Sequence, residues 1–85
     1  MVQLDPAAAQ WRLVEDEVVA LDVRREEYFV VNASGAVLWP LLTAGTTPEA
    51  LAECLTQRFD VPAERAAADV DGFLSRLRAR DILTG

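Results

Sequence analysis

Cys54 is the only thiol in the chain, and nothing in the sequence arms it. There is no histidine and no lysine, and all eight positive charges are arginine. The usual general bases and Schiff-base amines are therefore missing. Cys54 falls at helical spacing with Leu51, Leu55 and Phe59, so a buried, inert thiol is expected rather than a nucleophile. The acids cluster as Glu15-Asp16-Glu17 and Glu26-Glu27, where solvated turns account for them. None has the spacing of a calcium loop, and no cysteine–histidine set could hold zinc. No glycine-rich phosphate loop is present either. The chain reads as non-catalytic, with no cofactor. What remains is binding.

Charge narrows the partner. Fourteen acids against eight arginines give a formal charge of -6, which argues against the phosphate backbone of nucleic acid or an anionic membrane. A single cysteine cannot form an internal bridge and fits a reducing compartment. Met1 to Ala9 carries an acid and no basic region, so it does not read as a signal peptide. The apolar runs are too short to span a bilayer. A cytoplasmic domain is expected. With 85 residues, 52% of them hydrophobic, a single folded core is expected, without room for a large cleft.

The elements that position any binding surface follow from the hydrophobic period. Residues 1–10 show none and are expected as a loosely ordered lead-in to one domain over 11–85. Trp11 to Val14 alternates, with Trp11 and Leu13 on one face. After the acidic turn, Val18 to Val23 reads as a second strand. Val19, Leu21 and Val23 share one face, and Val18, Ala20 and Asp22 the other. Arg24 to Glu27 closes the next hairpin without glycine, which predicts a longer loop. Tyr28, Phe29, Val30 and Val31 then form a third strand, apolar at every position.

Asn32 and Ser34 can cap the helix that follows at once. It should run from about Ser34 to Thr43, and Pro40 predicts a kink or a short helix. Thr46-Thr47-Pro48-Glu49 starts a second helix. Pro62 starts a third, about Ala63 to Arg80. Its apolar stripe is Ala66, Ala67, Val70, Phe73, Leu74 and Leu77, with Asp69, Gly72, Arg76 and Arg80 on a neighbouring face. Gly72 costs about 1 kcal/mol against alanine inside a helix. Either it packs tightly on another element, or a partner's backbone approaches there. Ile82 and Leu83 are expected to fold back as an apolar clasp. The fold class is α+β: a three-stranded antiparallel sheet followed by three helices, winged helix-turn-helix-like.

In such a meander the third strand is an edge, and edges are normally blunted by charge, proline or a bulge. Tyr28 to Val31 has none of these. An apolar edge beside an amphipathic helix suits an extended peptide that adds as a strand. A further segment of this chain, or a second copy, would cover it equally well.

Several stretches together resemble a known family: Tyr28 to Ala36, then Trp39 with Leu41-Leu42, then Gly45 to Glu49, then Ala68-Asp69-Val70 with Phe73-Leu74 and Leu77. The series resembles the PqqD-like recognition elements of ribosomal peptide biosynthesis, in particular the stand-alone form of lasso peptide clusters. The resemblance covers about residues 11–83. It implies a winged helix-turn-helix fold that binds no DNA. It also implies a precursor leader peptide added to the third strand and packed on the third helix, with a leader tyrosine and proline in an apolar pocket between them. By that resemblance the edge is Tyr28, Phe29, Val30 and Val31, and the helix wall is drawn from Asp69, Val70, Phe73, Leu74 and Leu77. The implied partners are the leader peptide, a transglutaminase-like cysteine protease and a macrolactam synthetase, with the chain a monomer or weak dimer. Two alternatives stand beside it: a recognition element for another modified peptide or cofactor precursor, and a DNA-binding winged helix. The second is disfavoured by the charge of -6.

Overall fold

Alternation along residues 9–31 sets one face of a sheet against three helices. In the computed structural model, which describes residues 1–84, β2 (Ala9–Val14), β3 (Glu17–Asp22) and β4 (Glu27–Val31) form an antiparallel meander in that order. A short β1 (Gln3–Leu4) precedes it. The helices α1 (Ala33–Ala44), α2 (Pro48–Arg58) and α3 (Ala63–Ala79) follow, and β5 (Leu83–Thr84) closes the chain. This is the expected α+β order. No described helix is long and apolar enough to cross a membrane.

Register decides which sheet face is inside. Trp11, Ala20 and Phe29 lie across from one another, as do Leu13, Val18 and Val31. Directly opposed residues share a face, and Val18, Ala20 and Val31 are buried. The inward face of β3 is thus the one carrying Asp22, which is itself fully buried. Tyr28 and Val30 turn to the outer face, where they are 74% and 60% exposed. Two hairpins hold this register: Glu15-Asp16 joins β2 to β3, and a four-residue loop joins β3 to β4. Glu15 and Glu26 each take a φ of 56°, the left-handed conformation such turns need.

Local signals set the helices. The Asn32 side chain accepts from the Gly35 amide at 3.2 Å, and Thr47 accepts from the Ala50 amide at 3.1 Å. Pro40 lies inside α1 without ending it: the helix runs for 12 residues, one beyond the expected Ser34 to Thr43 at each end. Its buried residues Leu38, Trp39 and Leu42 anchor the core, each such apolar side chain contributing about 1.5–3 kcal/mol on burial. That offsets the one backbone bond proline removes. Trp39 meets Trp11 edge to face, ring centroids 6.1 Å apart.

The ends of the chain depart from expectation. Residues 1–10 are not a loose lead-in. Val2 and Thr46 exchange two backbone hydrogen bonds at 2.7 and 2.8 Å, Leu4 pairs with Leu83, and Val2, Leu4, Ala8 and Ala9 are buried. The expected clasp at Ile82 and Leu83 is therefore half of a two-stranded sheet, and Ile82 is fully buried. Burial of these apolar side chains outweighs the entropy of ordering a short terminal segment.

Candidate functional site

The stripe of α3 divides between two neighbours. Val70 and Leu74 turn towards α2 and line a cavity with Pro48, Ala52 and Ala67. Phe73 and Leu77 turn towards β4. An apolar stripe wider than about 100° can face two elements at once, and here it does. Of the helix wall expected from Asp69, Val70, Phe73, Leu74 and Leu77, Val70 and Leu74 are buried on the α2 side. Asp69, Phe73 and Leu77 stay beside the open space.

That space is a trough between β4 and α3. Its central chamber, about 470 Å³, is walled by Phe29, Val30 and Val31 on one side and by Phe73 and Leu77 on the other. Asn32, Arg76 and Arg80 complete it. A second chamber of about 470 Å³ shares Asn32, Phe73 and Arg76 and runs on past Asp69 to Leu55, Phe59 and Val61. From Asp69 to Arg80 the helix spans about 16 Å at 1.5 Å per residue, the length of about five extended residues. β4 is itself five residues long.

The floor of the trough is held by a close approach. Gly35, in the first turn of α1, lies against Val31 and Phe73. A Cβ there would collide with Val31 Cγ1 and come within 3.1 Å of Phe73 Cε1. The glycine lets α1, β4 and α3 converge.

The far end is held electrostatically. Asp22 receives the Arg25 amide at 3.2 Å and the Arg25 guanidinium at 3.2 Å, and Arg80 stands 3.8 Å away. Burial alone would push the Asp22 carboxyl up. The hydrogen bonds from Arg25 and the charges of Arg25 and Arg80 outweigh it and hold the carboxyl below the ordinary aspartate range. Arg80 also reaches Glu27 at 3.8 Å and lies 4.2 Å over the Phe29 ring, a contact of about 0.5–1 kcal/mol where exposed. Arg80 thereby ties the end of α3 to β4.

The direction of each β4 amide follows from one bond. The Val23 amide donates to Ala8 at 3.0 Å, so Val23, Leu21 and Val19 turn their backbone groups towards β2. Val18, Ala20 and Asp22 turn theirs towards β4. Across the β3–β4 register, Glu27, Phe29 and Val31 answer β3, and Tyr28 and Val30 direct their amides and carbonyls to the open edge. The four expected edge residues therefore divide. Phe29 and Val31 present side chains to the trough, while Tyr28 and Val30 present backbone, with side chains on the outer face.

Chemically, the trough offers free strand hydrogen-bonding groups, an apolar wall and guanidinium groups. Among the described residues it holds no thiol: Cys54 is half-buried on α2 and lines none of these chambers. The same residues hold no cluster of three or more metal-ligating side chains. Sequence reasoning missed Asn32, Arg76 and Arg80 as lining residues. The polar row Asp69, Gly72, Arg76, Arg80 was the available signal, at the helical spacing of three and four that puts residues on one face.

Comparison with known proteins gives a consistent picture. A family model described as coenzyme PQQ synthesis protein D (PqqD) matches residues 17–83. No curated protein matches the chain at a significant level. A solved structure described as TbiB1 in complex with the TbiA(beta) leader peptide superposes with a TM-score of 0.88 at 28% identity, over 98% of this chain and 95% of that one. Another, a lasso peptide synthetase B1 complexed with the leader peptide, has a TM-score of 0.83 at 24% identity, over 99% and 98% of the two chains; at that identity it speaks for the fold alone.

Proposed function

Because this chain belongs to the PqqD family, we propose that it is a non-catalytic module that binds the leader segment of a ribosomally made precursor, of the lasso peptide kind. The leader adds as a strand to the edge of β4 and rests its side chains on Phe73 and Leu77 of α3. The chain then presents the precursor to a transglutaminase-like leader protease and a macrolactam synthetase. The observation that carries this is the open β4 edge, with the Tyr28 and Val30 backbone groups directed outward beside a trough of matching length. The TbiB1 complex, with a leader peptide bound to a chain of this fold at 28% identity, supports it. So does the absence of any histidine or lysine from the sequence.

The test is amide hydrogen exchange with and without the leader of the precursor encoded beside this chain's gene. Exchange at Tyr28 and Val30 should slow on binding, because only those β4 amides gain a strand partner. Binding without protection there would refute strand addition. Leader removal by the partner protease should quicken when this chain is added, and the chain alone should turn nothing over. The family model's own description, coenzyme PQQ synthesis, favours a second reading in which the precursor yields a cofactor rather than a lasso peptide. The neighbouring precursor sequence separates the two.

A further inference from the structure

Arg76 is the cation of the trough that no carboxylate among the described residues pairs with. Arg80 is met by Asp22 and Glu27, Arg25 by Asp22, and Arg65 by Asp69. Arg76 makes no ion pair or hydrogen bond among the described residues. Its neighbours three and four positions away on the helix are Gly72, Phe73, Ala79 and Arg80, none of which is an acid. It nevertheless lines both chambers and the shallow cavity beyond them. The central chamber holds Arg76 and Arg80 and no carboxylate, on a chain of net charge -6. The charged side chains that line it are therefore all positive.

Gly72 lies one turn before it. Of the two reasons for a glycine within this helix, tight packing is not met: a Cβ there would find only Arg76 Nη1, at 3.9 Å. Among the described residues no other element comes within 4 Å of that position. A residue that disfavours the helix is kept where only open trough lies above it.

We propose that Gly72 and Arg76 form a carboxylate subsite. An acidic side chain of the bound peptide crosses the notch over Gly72 and ends on the Arg76 guanidinium, which fixes the peptide's register along β4. This deepens the leader-binding reading and rests on it.

The experiment is selection of a displayed library of random peptides against the full chain and its Arg76→Glu variant. Wild type should enrich peptides with Asp or Glu at one fixed position relative to their apolar residues, and Arg76→Glu should enrich Lys or Arg there. For peptides selected on wild type, Arg76→Gln should weaken binding about fivefold at low salt, and the difference should shrink in about 0.5 M salt. Gly72→Ala, which meets no obstacle in the free protein, should fold normally and also bind more weakly. Peptides that enrich, and lose binding with Val30→Pro, yet show no acidic position or no reversal, would overturn the subsite and leave the leader reading standing. Peptides that bind Val30→Pro as well as wild type, or no enrichment at all, would overturn both.

Discussion

Proline substitution along β4 separates strand addition from every other mode of binding. Val30→Pro removes a donor that faces the open edge, and the side chain lost is 60% exposed. The fold should lose little. A peptide strand paired there loses one hydrogen bond, worth a net of about 0.5–1.5 kcal/mol, or about a 2- to 12-fold rise in Kd. Phe29→Pro removes a donor that faces β3 opposite Ala20, which is fully buried. The orphaned Ala20 carbonyl costs about 1–3 kcal/mol, and proline within a sheet together with loss of the ring under Arg80 adds to it. A domain of this size has about 4–13 kcal/mol of stability in all, and each kcal/mol shifts Tm by about 4–8 °C. Phe29→Pro should therefore melt far below wild type or fail to fold. Thermal melting by circular dichroism, beside titration of the labelled leader, reads both arms, with Val30→Ala separating side chain from amide. If Val30→Pro unfolds while Phe29→Pro stands, the assignment of outward amides is wrong. If Val30→Pro folds and binds normally, no strand adds at this edge.

Gly35→Ala should destabilise the fold by about 1–3 kcal/mol, the usual effect of overpacking, because its Cβ meets Val31 and Phe73; an unchanged Tm would mean α1 can move off β4 freely. Asp22→Asn tests the charged end of the trough. A carboxyl held low in the folded state stabilises above the ordinary aspartate value of 3.8, and that contribution is lost as pH falls through the depressed value. The variant should thus be less stable than wild type at neutral pH, and the gap should close at pH below 3.8 in urea titrations. Val70→Asn and Leu74→Asn should lose fold and leader binding together, since both side chains are buried on the α2 side; loss of binding at full stability would return them to the groove. Cys54→Ala should leave leader affinity within about 1 kcal/mol, measured by the same titration.

Much of this protein is written in local sequence. Asn32 and Thr47 cap helices wherever those helices pack, because a side-chain oxygen two or three residues from a free amide needs no tertiary help. The apolar run Tyr28 to Val31 makes a strand, and its lack of charge or proline marks an unguarded edge. The lack of histidine and lysine is likewise read from the residue inventory alone.

Other features depend on contacts far apart in the chain. Val2 and Leu4 are too few to show a period, and their partners, Thr46 and Leu83, lie about 40 and 80 residues on, so burial of the first segment is invisible locally. Either face of β3 could have gone inward. The one with Val18, Ala20 and Asp22 did, and Arg25 and Arg80 offset the cost of burying that carboxylate. The stripe of α3 shows which residues leave water but not which neighbour receives them: Val70 and Leu74 go to the α2 side, Phe73 and Leu77 to β4. The direction of the β4 amides hangs on the pairing of Val23 with Ala8. Alternation is local, but its phase is set only when strands meet, and that phase decides that Tyr28 and Val30 hold the free edge.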